Sequence, residues 1–165
     1  MAAAIERTLI VVKPDGLARG LVGRIVQRFE DAGLKIVASK MRVMDDEFTR
    51  KHYFDLEERY SKEIYDANAR AIQRGPVVAM VIEGVEAVTN VRRLVGGTYP
   101  NEAPPGTIRG DFAHQSRAYC TERGKGVANL VHASGNLDEA KYEIELWFGS
   151  AEQFDYHTLA ESFTF

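Results

Sequence analysis

Thr8-Leu9-Ile10-Val11-Val12-Lys13-Pro14-Asp15-Gly16 decides how this chain is built. The run from Thr8 to Val12 is too short for a helix and too apolar for an edge strand. Pro14-Asp15-Gly16 ends it in a turn, so a central strand with both faces covered is expected. Working outward, Leu21, Ile25, Phe29 and Ala32 recur at helical spacing, and Gly33 supplies the stop. Leu34 to Met44 returns to strand character, with Leu34, Ile36 and Ala38 on one face. Residues 46–73 read as helical, on Phe48, His52, Leu56 and then Ile64, Ala67, Ala71, with Ser61 as the cap of the second piece. Pro76 to Ile82 is another buried strand, Val85 to Leu94 a short helix and Ala128 to His132 a fourth strand. Leu137 to Phe148 is a helix with Ala140, Ile144 and Trp147 on its inner face.

The order β-α-β-α-α-β-α-loop-β-α places the chain in the α/β class, as an α+β sandwich. Four strands in this order favour a ferredoxin-like βαββαβ core over a doubly wound fold: a four-stranded antiparallel sheet with additional helices and a long loop. That loop, Gly96 to about Val127, holds 6 of the 14 glycines and 3 of the 5 prolines. Structureless stretches of that length are uncommon and often functional.

A length of 165 residues argues for a single domain over 1–165, and 45% apolar with 27% charged residues is globular composition. The net charge of −3 argues against nucleic acid or an anionic membrane as a generic partner. A local cationic pocket remains compatible with it: Arg92, Arg93, Arg109, Arg117, Arg123 and Lys125 face only Glu102, Asp111 and Glu122 within residues 92–125. A single cysteine, Cys120, excludes an internal disulfide framework and fits a reducing compartment. Met1 to Arg7 lacks the pattern of a signal peptide, and no apolar run approaches the ~20 residues of a membrane span. A cytoplasmic location is expected.

Two groups of residues suggest chemistry. Arg109 lies between Gly106 and Gly110, where backbone N–H groups and a guanidinium can converge on an anion. Arg92, Arg93 and Thr98 lie upstream, and Lys13 ends a buried strand, where its charge must reach water or an anion. Snorkelling of Lys13 and pairing of Arg109 with Asp111 are the structural alternatives. No Walker A loop is present, so a phosphate site must be built from side chains. The second group centres on His132, at a strand-to-helix junction capped by Asn136 with Glu139. Glu143 falls inward between Ala140 and Trp147 and needs a polar partner. An imidazole N–H is a suitable one, which would leave the other ring nitrogen free as a nucleophile. His52, His114 and His157 carry weaker signals, and no histidine pair has metal-ligand spacing with a matching carboxylate. The aromatic segment after Gly149 is expected to pack on the domain or on a neighbouring subunit.

Glu6 to Gly16, Arg19-Gly20-Leu21-Val22-Gly23, Gly75-Pro76-Val77-Val78-Ala79-Met80, Pro105 to Phe112 and Asn129-Leu130-Val131-His132-Ala133-Ser134 together closely resemble the nucleoside diphosphate kinase family. The resemblance runs in order from about Glu6 to Trp147, and Asn-x-x-His-x-Ser is its most activity-specific element. It implies a ferredoxin-like fold and a ping-pong phosphotransfer from a nucleoside triphosphate, typically ATP, to a nucleoside diphosphate. By the match, His132 is the phosphorylated nucleophile, Glu143 orients it, Ser134 is nearby and Tyr53 sits close to it. Lys13, Arg92, Thr98 and Arg109 resemble the phosphate binders, Asn129 with Lys13 meets the sugar, and Arg59 falls where the family has a phosphate-contacting arginine. The resemblance implies Mg²⁺ carried on the nucleotide phosphates, no metal held by the protein, and a homo-oligomer, with a hexamer favoured over a tetramer.

The chain also departs from the family. Arg59-Tyr60-Ser61-Lys62 replaces the usual Arg-Pro-Phe-Phe, which leaves Tyr60, Tyr65 or neither as the base-stacking aromatic. Residues 113–128 are longer than the family pattern, and Gly135 replaces the aspartate after His-x-Ser. The altered 59–65 and 113–128 segments are what favour the alternative of a nucleotide-binding regulatory protein without turnover, which would bind ADP without exchanging phosphate. An RNA-binding module of the same fold is disfavoured by the net charge and by the lack of an aromatic RNP-type strand.

Overall fold

The computed structural model describes residues 4–164. Met1 to Ala3, the first three of the seven residues read against a signal peptide, and Phe165 lie outside them. Strands β1 (Ile5–Val12), β2 (Lys35–Arg42), β3 (Val77–Val85) and β4 (Val131–Ala133) form one antiparallel sheet in the order β2-β3-β1-β4. The ten helices described are α1 (Pro14–Ala18), α2 (Val22–Glu30), α3 (Asp46–His52), α4 (Leu56–Arg59), α5 (Lys62–Ile72), α6 (Ala87–Val95), α7 (Ile108–Phe112), α8 (Arg117–Glu122), α9 (Leu137–Trp147) and α10 (Glu161–Thr164).

The continuous apolar character of β1 follows from its position. It lies between β3 and β4, and residues Thr8 to Val12 are fully buried. Ile10 and Val12 face one apolar cluster with Ile25 and Phe29 of α2 and Val91 and Val95 of α6. Leu9 and Val11 face the other, with Ile72 of α5 and Ile144 and Trp147 of α9. Helices therefore cover both faces, and the inner strands have no polar side.

Three local expectations are corrected. Leu34 and Ile36 pack in the first cluster, but Val37 and Ala38 both pack in the second. A register shift between Ile36 and Ala38 in the β2–β3 pairing inserts an extra residue, which turns Ala38 to the opposite face. In α5 the buried residues are Tyr65, Ala69 and Ile72, while Ile64 is exposed. The loop after Gly96 is not structureless: α7 and α8 are each capped by a side chain, Thr107 accepting from Gly110 N and Ser116 from Tyr119 N. The caps at Ser61 and Asn136 form as expected.

The C-terminal tail docks on the β2 edge through backbone groups, ion pairs and the Tyr156 side chain. Phe154 N donates to Val37 O at 2.8 Å and Tyr156 Oη to Ile36 O at 2.7 Å. Lys35 bridges Glu83 at 2.7 Å and Glu161 at 2.6 Å. Phe154 and Phe163 remain largely exposed.

Candidate active site

Strand alternation places the candidate nucleophile. His132 pairs with Val11 across β1–β4 and shares its face, the one covered by α9. From α9, Glu143 turns inward with Ala140, Ile144 and Trp147. Its Oε1 lies 2.8 Å from His132 Nε2, and its Oε2 accepts from Ser134 Oγ at 2.6 Å. Ser134 Oγ also accepts from Leu9 N at 3.2 Å, which ties the pair to β1. With Nε2 committed to the carboxylate, Nδ1 is the ring atom left for an electrophile. Burial by itself would raise the Glu143 pKa. The two histidines beside it and the Ser134 hydroxyl outweigh burial and hold it at about 2.

A third ring completes the cluster. His52, at the end of α3, lies edge-on to His132 with centroids 4.6 Å apart, and its Nδ1 accepts from Trp147 Nε1 at 3.2 Å. Burial first, then the neighbouring His132, push its pKa down to about 3, so it stays neutral. Tyr53 follows it, 6.5 Å from the His132 ring, with its phenol held protonated chiefly by burial.

Beside this cluster the cations gather. Lys13 is buried, and its Nζ donates to Val127 O at 2.9 Å and Asn129 Oδ1 at 2.8 Å. Burial draws its pKa down to about 8, with Asp15 opposing and Arg109 assisting. Asn129 Nδ2 in turn donates to Thr98 O at 2.8 Å, so Lys13, Asn129 and Thr98 form one chain of contacts. Arg109 is gripped by three backbone carbonyls: Val131 O at 2.6 Å, Gly96 O at 3.0 Å and Asn129 O at 3.2 Å. Burial, then Arg92, bring its pKa down to about 10. Asp111 pairs with Arg28 at 2.8 Å instead, so the Arg109–Asp111 alternative does not form. Arg92 is exposed and approaches Ser134 O at 3.5 Å.

Leu130 joins the two groups. Its φ of 73° is left-handed, rare for a branched side chain. Its side chain is fully buried, its N–H donates to Asp15 Oδ2 at 3.0 Å, and its carbonyl accepts from Lys13 N at 2.8 Å.

Arg59 and Tyr60 stand apart, exposed on the α4 hairpin. Arg59 reaches Asp55 at 3.0 Å and Glu139 at 3.4 Å. Tyr65 is buried and carries the Arg50 guanidinium over its ring, so its face is already taken. The added cations of residues 113–128 do not converge on His132. Arg117 lies over Tyr99 and Arg123 over Tyr119, while Lys125 borders a separate cavity of about 630 Å³ with Ala71, Arg74 and Gln115. Lys13 is the one candidate residue that also lines that cavity. Asp15, His52 and Glu139 also border the site. Their roles depend on tertiary contacts, and only the helix-cap pattern at Glu139 is visible in sequence.

A family model described as nucleoside diphosphate kinase matches residues 6–153. The chain belongs to the nucleoside diphosphate kinase family. It is a phosphotransferase acting on nucleotides. It is 44% identical over 154 residues to the nucleoside diphosphate kinase of Borreliella burgdorferi, covering 92% of each chain. It is 41% identical over 165 residues to that of Gallus gallus, covering 100% of this chain and 99% of the other. Its fold matches a transition-state mimic of the Borrelia burgdorferi enzyme with bound vanadate and ADP, at TM-score 0.95 and 42% identity over 97% and 96% of the two chains. A Halobacterium salinarum enzyme in complex with CDP matches at TM-score 0.84 and 40% identity, over 98% and 99%. Among the described residues no helix is long and apolar enough to cross a membrane.

Proposed function

We propose that this chain moves the terminal phosphate of a nucleoside triphosphate to a nucleoside diphosphate in two half-reactions through a phosphohistidine at His132. The observation that carries this is the His132–Glu143–Ser134 relay beside Lys13 and Arg109. The Nδ1 lone pair of His132 attacks the γ-phosphorus, the bond from that phosphorus to the β,γ-bridging oxygen breaks, and the diphosphate leaves with the bond electrons. The Nε2–H stays on Glu143 Oε1, which stabilises the ring as it becomes positive. A second diphosphate then attacks the phosphohistidine and returns the ring to its starting state.

Lys13, Arg92 and Arg109 offset the phosphate charge, and Arg109 needs no reorganisation because the backbone already holds it. In this reading Asn129 and Lys13 meet the ribose, Thr98 and Arg59 the phosphates, and Tyr60 is the free aromatic face for the base. Tyr53 bounds the His132 ring.

Mg²⁺ completes the substrate. The donor atoms of His52, His132 and Glu143 lie within 4.8 Å of one another, but both Glu143 oxygens and His52 Nδ1 are engaged, and the neighbouring groups are cations. That donor set does not suit a hard cation, so Mg²⁺ is assigned to the nucleotide phosphates, where it supplies charge neutralisation. The same reading takes residues 1–165 as one domain, assembled as a homo-oligomer with a hexamer favoured, and located in the cytoplasm.

Incubation with γ-labelled ATP tests the proposal. An acid-labile, base-stable phosphoenzyme is expected, discharged by any nucleoside diphosphate and absent in His132→Ala. An unlabelled wild-type protein overturns it.

A further inference from the structure

Gly135 follows Ser134 directly, and the space beside its Cα is already filled. A Cβ at Gly135 would fall 2.6 Å from Glu139 Oε2 and 3.2 Å from Oε1. The Glu139 carboxylate is fixed there by Gly135 N, 2.9 Å from Oε2, and by Asn136 Nδ2, 2.9 Å from Oε1. Glu139 N closes the same turn onto Asn136 Oδ1 at 2.9 Å. A carboxylate four residues downstream thus occupies the place of a side chain at position 135.

That carboxylate has a second partner across the site. Its Oε1 accepts from Arg59 Nη1 at 3.4 Å, the one ion pair joining α4 to α9 among the described residues. The other acid on Arg59, Asp55, belongs to the same hairpin and moves with it. The Arg59–Glu139 pair is therefore what ties the hairpin electrostatically to the turn beside His132.

We propose that Glu139 is a positioning residue that sets nucleotide affinity by competing with phosphate for Arg59. This rests on the reading that Arg59 contacts nucleotide phosphate. A guanidinium presents its best fork to one anion at a time, so a phosphate that engages Arg59 must draw it from Glu139. The lost pair subtracts from binding, and the pair re-forms as product leaves. A ping-pong enzyme releases a nucleotide in each half-reaction, so the competition assists turnover by keeping each bound nucleotide exchangeable.

Two substitutions remove the Glu139 contact from Arg59 by different routes and leave its Asp55 contact in place. Glu139→Gln removes the charge and keeps the shape. Gly135→Ala leaves residue 139 unchanged, but its Cβ displaces the carboxylate from its seat. Both are expected to tighten ADP binding by about two- to five-fold at low salt, the scale of a part-exposed ion pair. Arg59→Met, which keeps the aliphatic stem, is expected to weaken ADP binding and to abolish the effect of either substitution made on top of it. Calorimetric titration of the five variants with ADP reads this out. Failure of both single substitutions to tighten binding, or tightening that persists with Met at position 59, overturns the proposal. The second outcome would mean that Glu139 repels phosphate directly. Phosphoenzyme formation by the wild type, measured in parallel, keeps this result separate from the assignment of function.

Discussion

His132 Nε2 lies 2.8 Å from Glu143 Oε1, and the other Glu143 oxygen is held by Ser134. The carboxylate therefore fixes which ring nitrogen carries the proton and cannot rotate away. Glu143→Gln presents an amide in its place and removes the charge that would steady the ring in the proposed transfer. Phosphoenzyme formation is expected to slow by about 10- to 100-fold, the range of a charge-assisted hydrogen bond. Rapid-quench labelling measures it, and a rate within two-fold of wild type contradicts the role.

The same carboxylate makes stability depend on pH. Its pKa is held at about 2 against an ordinary 4.5. The unfolded chain binds the proton more readily, so the stabilisation is complete above about pH 4.5 and is lost as pH falls toward 2. Wild type is expected to lose more stability than Glu143→Gln between pH 5 and 3, compared by denaturant melts.

Lys13 sets a second window. With its pKa drawn down to about 8, the free enzyme loses this charge as pH rises past 8. A phosphate seated beside it favours the charged form, so ADP binding is expected to take up a fraction of a proton near pH 8 and to weaken above it. Titration calorimetry in two buffers of different ionisation enthalpy measures the uptake. Equal apparent enthalpies would contradict it. The stability effect has the opposite sense: the penalty of burying a charged lysine is full below pH 8 and fades toward 10.5.

Arg109 holds three carbonyls with one planar fork. Arg109→Lys keeps a charge but cannot span them, and a buried carbonyl left unpaired costs about 1–3 kcal/mol. A lower melting temperature and a higher KM for ATP are expected together, measured by calorimetry and steady-state kinetics.

Gly126 lets the added segment lie against α5. A Cβ there would meet Ala67 O at 2.6 Å and Ala71 Cβ at 3.0 Å. Gly126→Ala is expected to destabilise by about 1–3 kcal/mol through overpacking. A thermal melt tests this, and an unchanged midpoint would show that the segment moves freely.

Much of this was legible because the pattern and the contact share a cause. The β1 run reads as central because it is covered on both faces, and Glu143 reads as inward because Ala140 and Trp147 flank it at helical spacing. What escaped depends on tertiary contacts. The extra residue at Val37 leaves no mark in a period-two pattern. Helices α7 and α8 are only a turn or two long, held by single hydroxyl caps that hydrophobic periodicity does not register. His52 reaches His132 across 80 residues of sequence, and Glu139 meets Arg59 across the same separation. Counting cations along the loop also misled in part, because Arg117 and Arg123 lie over tyrosines rather than beside the relay.

Leu130 has a consequence for how variants of this protein will be interpreted. Its left-handed backbone is retained because its side chain fills the core and because Asp15 and Lys13 bind its amide and carbonyl. Trimming that side chain would loosen a packing site and, in the same event, release the peptide that aims Asn129 and His132. An activity screen would then score position 130 as though it met the substrate, although it never leaves the hydrophobic interior. In this fold the candidate site takes its geometry from the core, and a defect in one is heard as a defect in the other.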